Sequence, residues 1–206
     1  MTYYLQKLTI ILSLALLKTV SVGCTPAPQV QTYVDAGTEE PEEHIIAHMP
    51  LNIGKIEKLE LPRYLVQQHL NQEQIANAFL IIAIAKRNSF DSAVLLAIAL
   101  QESSFDNYAV SPGQDLGLYQ ISTFWWEAYF NRKVVDFKLA AMDPGISTRF
   151  AIEILYLLST RPACQGKNLF ACYNGGAGWQ TSKNKDKIIE YRESVSYHYE
   201  MIRGEQ

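Results

Sequence analysis

This sequence has no excess of positive charge. Lys and Arg total 18 against 21 Asp and Glu, a formal net charge of −3 at pH 7. A protein dedicated to nucleic acid meets phosphates with a basic surface, so that class is excluded. A cationic protein that attacks cells by charge attraction alone is excluded for the same reason. Long apolar runs are scarce too. The stretch 8–17 is broken by Thr9 and Ser13 and falls well short of the ~20 residues a membrane-spanning helix needs. There is no internal repeat, and composition rules out collagen-like, disordered and polytopic membrane classes. What is present is 48% apolar and 19% charged residues over 206 positions. That is enough for one domain with a real core plus a short extra segment.

Residues 1–23 carry one early positive charge, Lys7, then the apolar stretch, then Lys18. Loop-like sequence follows, so a signal peptide is expected here rather than a first buried helix. Ser21-Val22-Gly23-Cys24-Thr25 leads small residues into a cysteine and resembles a bacterial lipoprotein cleavage site. On that reading Cys24 carries the lipid, and the protein is exported to the periplasm and anchored to a membrane. Acyl chains add ~0.8 kcal/mol of membrane affinity per buried CH₂. Ser21 stands where such sites favour Leu, and ordinary cleavage without a lipid is the competing expectation.

Only three cysteines occur. With Cys24 lipidated, Cys164 and Cys172 form an even pair around Gln165-Gly166-Lys167-Asn168. In an exported protein they are expected to form a disulfide, with two buried free thiols as the alternative. Zinc is not expected, because the spacing is wrong and no histidine lies near either cysteine. His44 and His48 are four apart, but Ile45 occupies the place where a zinc-protease helix needs Glu. Neither a metal nor a cofactor is expected.

Residues 24–52 read as a linker. They hold Pro26, Pro28, Pro41 and Pro50 and an acidic cluster of Glu39, Glu40, Glu42 and Glu43. Residues 53–206 read as a single all-α domain with a small loop or β segment near the active site. Helical apolar spacing covers residues 63–70 and 72–87, the second with Ile75, Phe79, Ile82 and Ala83 on one stripe. Asp91 or Ser92 can cap an almost wholly apolar helix over 93–101. Pro112, Gly113 and Gly117 mark 104–118 as a loop or small sheet. A short aromatic-rich helix is expected over 122–130, and a helix over 144–158 capped by Asp143 with Pro144 in its first turn. The last helix, 185–202, places Ile188, Tyr191, Val195, Tyr199 and Ile202 at helical spacing.

Glu102 stands at the C-terminal end of the apolar helix. The helix dipole is negative there, and both that field and burial among apolar groups raise a carboxyl pKa. A carboxylic acid still protonated near neutral pH is what general-acid cleavage of a glycoside requires. Helix-end glutamates are common, and the neighbouring motifs carry the weight. Glu102-Ser103 is followed by Gly117-Leu118-Tyr119-Gln120 and then by Cys172-Tyr173-Asn174-Gly175-Gly176. In this order the sequence resembles the soluble (SLT) type of lytic transglycosylase, a goose-type lysozyme-like family with Glu-Ser, Gly-Leu-Met-Gln and Ala-Tyr-Asn-x-Gly motifs. Tyr191, Val195 and Tyr199 match the family's Tyr-x₃-Val-x₃-Tyr pattern, and the likeness spans residues 94–202. Tyr119, Cys172 and Lys187 depart from the family's Met, Ala and acidic residue, and Gln114-Asp115 replaces its usual Gly-Ala pair.

The resemblance implies that Glu102 protonates the glycosidic oxygen between N-acetylmuramic acid and N-acetylglucosamine in peptidoglycan glycan strands. The substrate's own 2-acetamido group would then meet the charge at the anomeric carbon. Glu102 would act next as base on the muramoyl C6 hydroxyl, closing a 1,6-anhydro ring. Ser103 would orient the acid or the acetamido group. Gln120 and Asn174 would hydrogen-bond sugar amides and hydroxyls, and Tyr173 would hydrogen-bond the Glu102 carboxyl. Tyr119 would line the cleft, and Phe124, Trp125 and Trp126 offer either sugar-stacking faces or ordinary core packing. Gly175, Gly176 and Gly178 would form the tight turn that delivers Tyr173 and Asn174. Two other functions stay open. One is a hydrolytic muramidase in which Asp115 activates water, and the other is a non-catalytic peptidoglycan-binding component of an envelope-spanning machine. No secretion or envelope partner is legible.

Overall fold

A computed structural model describes residues 59–204. The signal segment, Cys24, the linker and the His44/His48 pair lie outside the described residues. The order of elements is α1 (Arg63–Val66), α2 (Gln72–Arg87), α3 (Ser92–Ser103), β1 (Asp115–Leu116), β2 (Ile121–Ser122), α4 (Thr123–Phe130), α5 (Phe137–Met142), α6 (Pro144–Ser159), α7 (Asn168–Gly175) and α8 (Lys185–Arg203). The fold is all-α, with β1 and β2 as one short antiparallel pair in which Leu116 faces Ile121. Among the described residues no helix is long and apolar enough to cross a membrane.

Side-chain caps set half of the helix starts among the described residues. Asn71 accepts from the Gln74 amide at 2.9 Å while Gln74 accepts from the Asn71 amide at 2.8 Å, a reciprocal cap on α2. Asp91 accepts from Ala93 N at 2.9 Å and opens α3. Asp143 accepts from Ile146 N at 2.7 Å, with Pro144 in the first turn of α6. α3 has apolar residues on every side, and Leu95, Leu96, Ala97, Ile98 and Ala99 are fully buried. A helix apolar all round must be enclosed, and α2, α6 and α8 enclose it.

The described structure differs from the sequence reading in three places. The helix expected over 63–70 stops at Val66, because His69 takes a left-handed φ of 55° and frees Asn71 to cap α2. The helices at 137–142 and 168–175 are additions. The stretch 165–168, read as loop, leads from a 3₁₀ turn at Pro162–Cys164 directly into α7.

Apolar burial falls into two clusters. The larger one is centred on α3 and takes in Phe105, Leu118, Tyr119, Phe130, Phe137 and Phe150. The smaller one contains Cys164, Ala171, Cys172, Trp179 and Ile188. Cys164 and Cys172 are joined by a disulfide with Cα atoms 5.7 Å apart.

Candidate active site

α3 delivers Glu102 in its last turn, and the helix ends at once: Ser104 and Phe105 both take positive φ, 53° and 67°. The chain leaving α3 is tied down by buried amides. Asn77 of α2 donates to Phe105 O at 3.0 Å and to Asn107 Oδ1 at 3.1 Å, and Asn107 donates to Met142 O at 3.2 Å. The β hairpin then returns beside Glu102. At its turn, Gly117 has φ +69° and sits where a Cβ would overlap the Ala141 carbonyl oxygen, so only glycine fits.

Glu102 lines a cleft of about 640 Å³. Asp115, Gln120 and Trp126 face it from one wall, and Tyr173 and Asn174 from the other. The Tyr191 hydroxyl of α8 donates to Glu102 Oε1 at 2.6 Å. The Glu102 pKa is pushed up to about 7, chiefly because burial disfavours the ionised form. The Tyr191 hydrogen bond works against that rise, and the charge of Asp115 adds to it. A half-buried carboxyl that is half-protonated near neutral pH can give a proton and take one back. Asp115 is held by the Ser111 hydroxyl, which donates to its Oδ2 at 3.0 Å.

The remaining wall is built on the satellite cluster. Tyr173 and Asn174 occupy the last turn of α7, not the glycine turn beyond it. Gly175 lets α7 approach α8 closely: a Cβ there would stand 2.5 Å from Ile188 Cδ1 and 3.0 Å from Trp179 Cβ.

A family model described as the transglycosylase SLT domain matches residues 79–193, more than half of the chain. The chain belongs to the transglycosylase SLT domain family. No curated protein matches it. Family membership makes the domain lysozyme-like, its substrate class peptidoglycan, and its general activity that of a peptidoglycan transglycosylase that cleaves glycosidic bonds.

Within this SLT domain the sequence-predicted residues do not all meet. Glu102, Asp115, Gln120, Tyr173 and Asn174 converge on one cleft. Gln120, at φ +44°, spends its amide hydrogens on Ala109 O and Gly117 O at 3.1 and 3.0 Å. Its carbonyl oxygen is the group left for a ligand. Ser103 turns away: its hydroxyl donates to Leu118 O at 2.9 Å and to Ala99 O at 3.3 Å, pinning the hairpin to α3. Tyr119 does not line the cleft. Its side chain is fully buried in the main core, because the turn between β1 and β2 points it inward. Tyr173 does not bond Glu102 either. Its hydroxyl donates to Tyr119 O at 2.8 Å, and Tyr191 occupies the carboxyl instead. Of the three aromatics at the start of α4, Trp125 and Trp126 reach the cleft, whereas Phe124 stacks edge-on against Trp125 and is 81% exposed.

The sequence reading missed the roles of three residues. Asn77 and Asn107 brace the Glu102 loop but lie 30 residues apart with no shared motif. Tyr191 was visible as part of a helical pattern, yet its partner lies 89 residues away. Its signals were its place on the apolar stripe of the last helix and in the Tyr-x₃-Val-x₃-Tyr pattern, and neither named Glu102 as its partner.

Proposed function

We propose that this SLT domain cuts the β-1,4 bond between N-acetylmuramic acid and N-acetylglucosamine and leaves 1,6-anhydro-muramoyl ends, with Glu102 as the catalytic acid. The observation that carries this reading is the Glu102 carboxyl at the end of a buried apolar helix, facing the cleft with its pKa raised to about 7. Glu102 gives its proton to the leaving O4 of N-acetylglucosamine as the C1–O bond breaks. The carbonyl oxygen of the substrate's 2-acetamido group bonds C1 and carries the positive charge. The Glu102 carboxylate then removes the proton of the C6 hydroxyl, whose oxygen displaces the acetamido oxygen at C1. The carboxyl is restored and no water is added. Gln120 and Asn174 bind the sugars, Tyr191 orients the acid, and the indole faces of Trp125 and Trp126 stack on glycan.

The presence of Asp115 in the same cleft favours one second reading, a hydrolytic muramidase in which Asp115 activates water. Mass spectrometry of muropeptides from digested sacculi decides between them. The transglycosylase product lacks the water that the hydrolase adds. Failure of the wild-type protein to release any muropeptide would favour a binding component instead.

We also propose that the protein is exported and held at a membrane by lipid on Cys24. The Cys164–Cys172 disulfide supports an oxidising compartment. Metabolic labelling with a fatty acid, lost in Cys24→Ala, tests the lipid.

A further inference from the structure

A second groove, of about 500 Å³, lies beside the cleft and shares Asn174 and Gly175 with it. Ser182, Asn184, Lys187 and Tyr191 complete most of its lining. Tyr191 is thus common to this groove and to the Glu102 carboxyl. Lys187 is the one charged residue facing the groove, and it has no ion-pair partner among the described residues. Among its neighbours Lys183 and Lys185 balance Asp186 and Glu190, so Lys187 itself carries the local excess of positive charge. The other donors, Asn174, Asn184 and Ser182, suit a carboxylate or a peptide amide. A peptidoglycan strand is not a bare glycan: each muramoyl lactyl group carries a short peptide with free carboxylates. A strand lying in the cleft must send those peptides out sideways.

We propose that this groove binds the stem peptide of the muramoyl residue, with Lys187 pairing one of its free carboxylates. The assignment rests on the function proposed above and sets its substrate preference: cross-wall strands bearing carboxylate-rich peptides are cut faster than strands without them. Lys187 acts on binding and takes no part in bond breaking. Because it is exposed, its charge is screened by salt and its effect is modest.

The test compares the full chain with Lys187→Glu and Lys187→Met on three purified substrates. These are strands with native peptides, strands whose peptide carboxylates are blocked as amides, and strands stripped of peptide by an amidase. The readout is the ratio of cleavage rates. In the wild type, native peptides should be preferred over blocked ones by about two- to fivefold at low salt. Lys187→Met should abolish the preference and Lys187→Glu should invert it. Raising salt should shrink the wild-type ratio. An unchanged ratio in Lys187→Glu overturns the proposal. So does Lys187 sensitivity confined to stripped strands, because that would place the free lactyl carboxylate in the groove. Absence of cleavage on all three substrates would instead overturn the proposed function, and the two failures are therefore distinct.

Discussion

The two walls of the cleft are built on different amounts of core. Glu102 and the hairpin rest on the large cluster around α3, where many apolar side chains converge. Asn174 and the glycine turn rest on the satellite cluster of Cys164, Ala171, Cys172, Trp179 and Ile188. A large core fixes a side chain by burial alone. A small one cannot, and this wall adds a disulfide and the close approach of α7 to α8 at Gly175. The division matches the chemistry. The acid needs a dry, rigid seat that raises its pKa, whereas sugar-binding groups need only to be held at the edge. Tyr191 ties the walls together, since α8 carries Ile188 into the satellite cluster and Val195 and Ile202 into the main one.

The sharpest test of the main-core wall is Glu102→Gln. It should lower cleavage of purified sacculi by at least ~10²-fold, because Gln is nearly isosteric but has no acidic proton. The same variant should gain stability in alkali. The folded protein holds the Glu102 proton up to about pH 7, whereas an unperturbed carboxyl loses it near 4.5. The contribution of Glu102 to wild-type stability is therefore full below pH 4.5 and is lost as pH rises through 7. Denaturant melts at pH 8 should show the variant more stable by about 1–3 kcal/mol. Equal stability at both ends of that range would mean that Glu102 is not seated in a dry environment.

Removing the disulfide breaks the other wall. Cys164→Ala with Cys172→Ala should cost about 2.5 kcal/mol by loop-closure entropy for so short a loop. The Asn174 wall should loosen while α3 stays packed. Hydrogen exchange should therefore rise at α7 before it rises at α3, and exchange rising first at α3 would invert the comparison.

Tyr191→Phe tests the link between walls. Losing a hydrogen bond to a charged group should reduce kcat/KM by ~10-fold. The bond holds the Glu102 pKa down, so its loss should move the alkaline limb of the pH–rate profile to higher pH. A limb that moves to lower pH would contradict the geometry.

Asp115→Asn carries the smallest effect expected for a transglycosylase. A few-fold loss should accompany a downward shift of the alkaline limb, because the Asp115 charge is one of the causes that raise the Glu102 pKa. A loss of ~10²-fold, with reducing ends in wild-type digests, would favour the muramidase.

Much of the main-core wall was legible in the sequence. The apolar run before Glu102, the Asp91 and Asp143 caps and the glycine at 117 each act within a few residues, through hydrogen bonds and dihedral preferences that short sequence carries. The order of the three motifs pointed to the family without any contact being known. α5 and α7 were not legible: α5 spans only six residues, and α7 starts just after Gly166 and ends in the Asn174-Gly175-Gly176 run, residues that read as loop.

What only the tertiary structure decided is which groups touch. Tyr173 and Tyr191 both stand near the acid, and the motif resemblance pointed to Tyr173 where the structure places Tyr191 on the carboxyl. The choice follows from the packing of α7 and α8, which turns one hydroxyl to the Tyr119 carbonyl and the other to Glu102. Tyr119 is buried rather than exposed for a similar reason: it lies in the four-residue turn between β1 and β2, which docks against the main core. Local sequence sets element type and charge, whereas the direction of a side chain at a junction of elements depends on how separate helices dock.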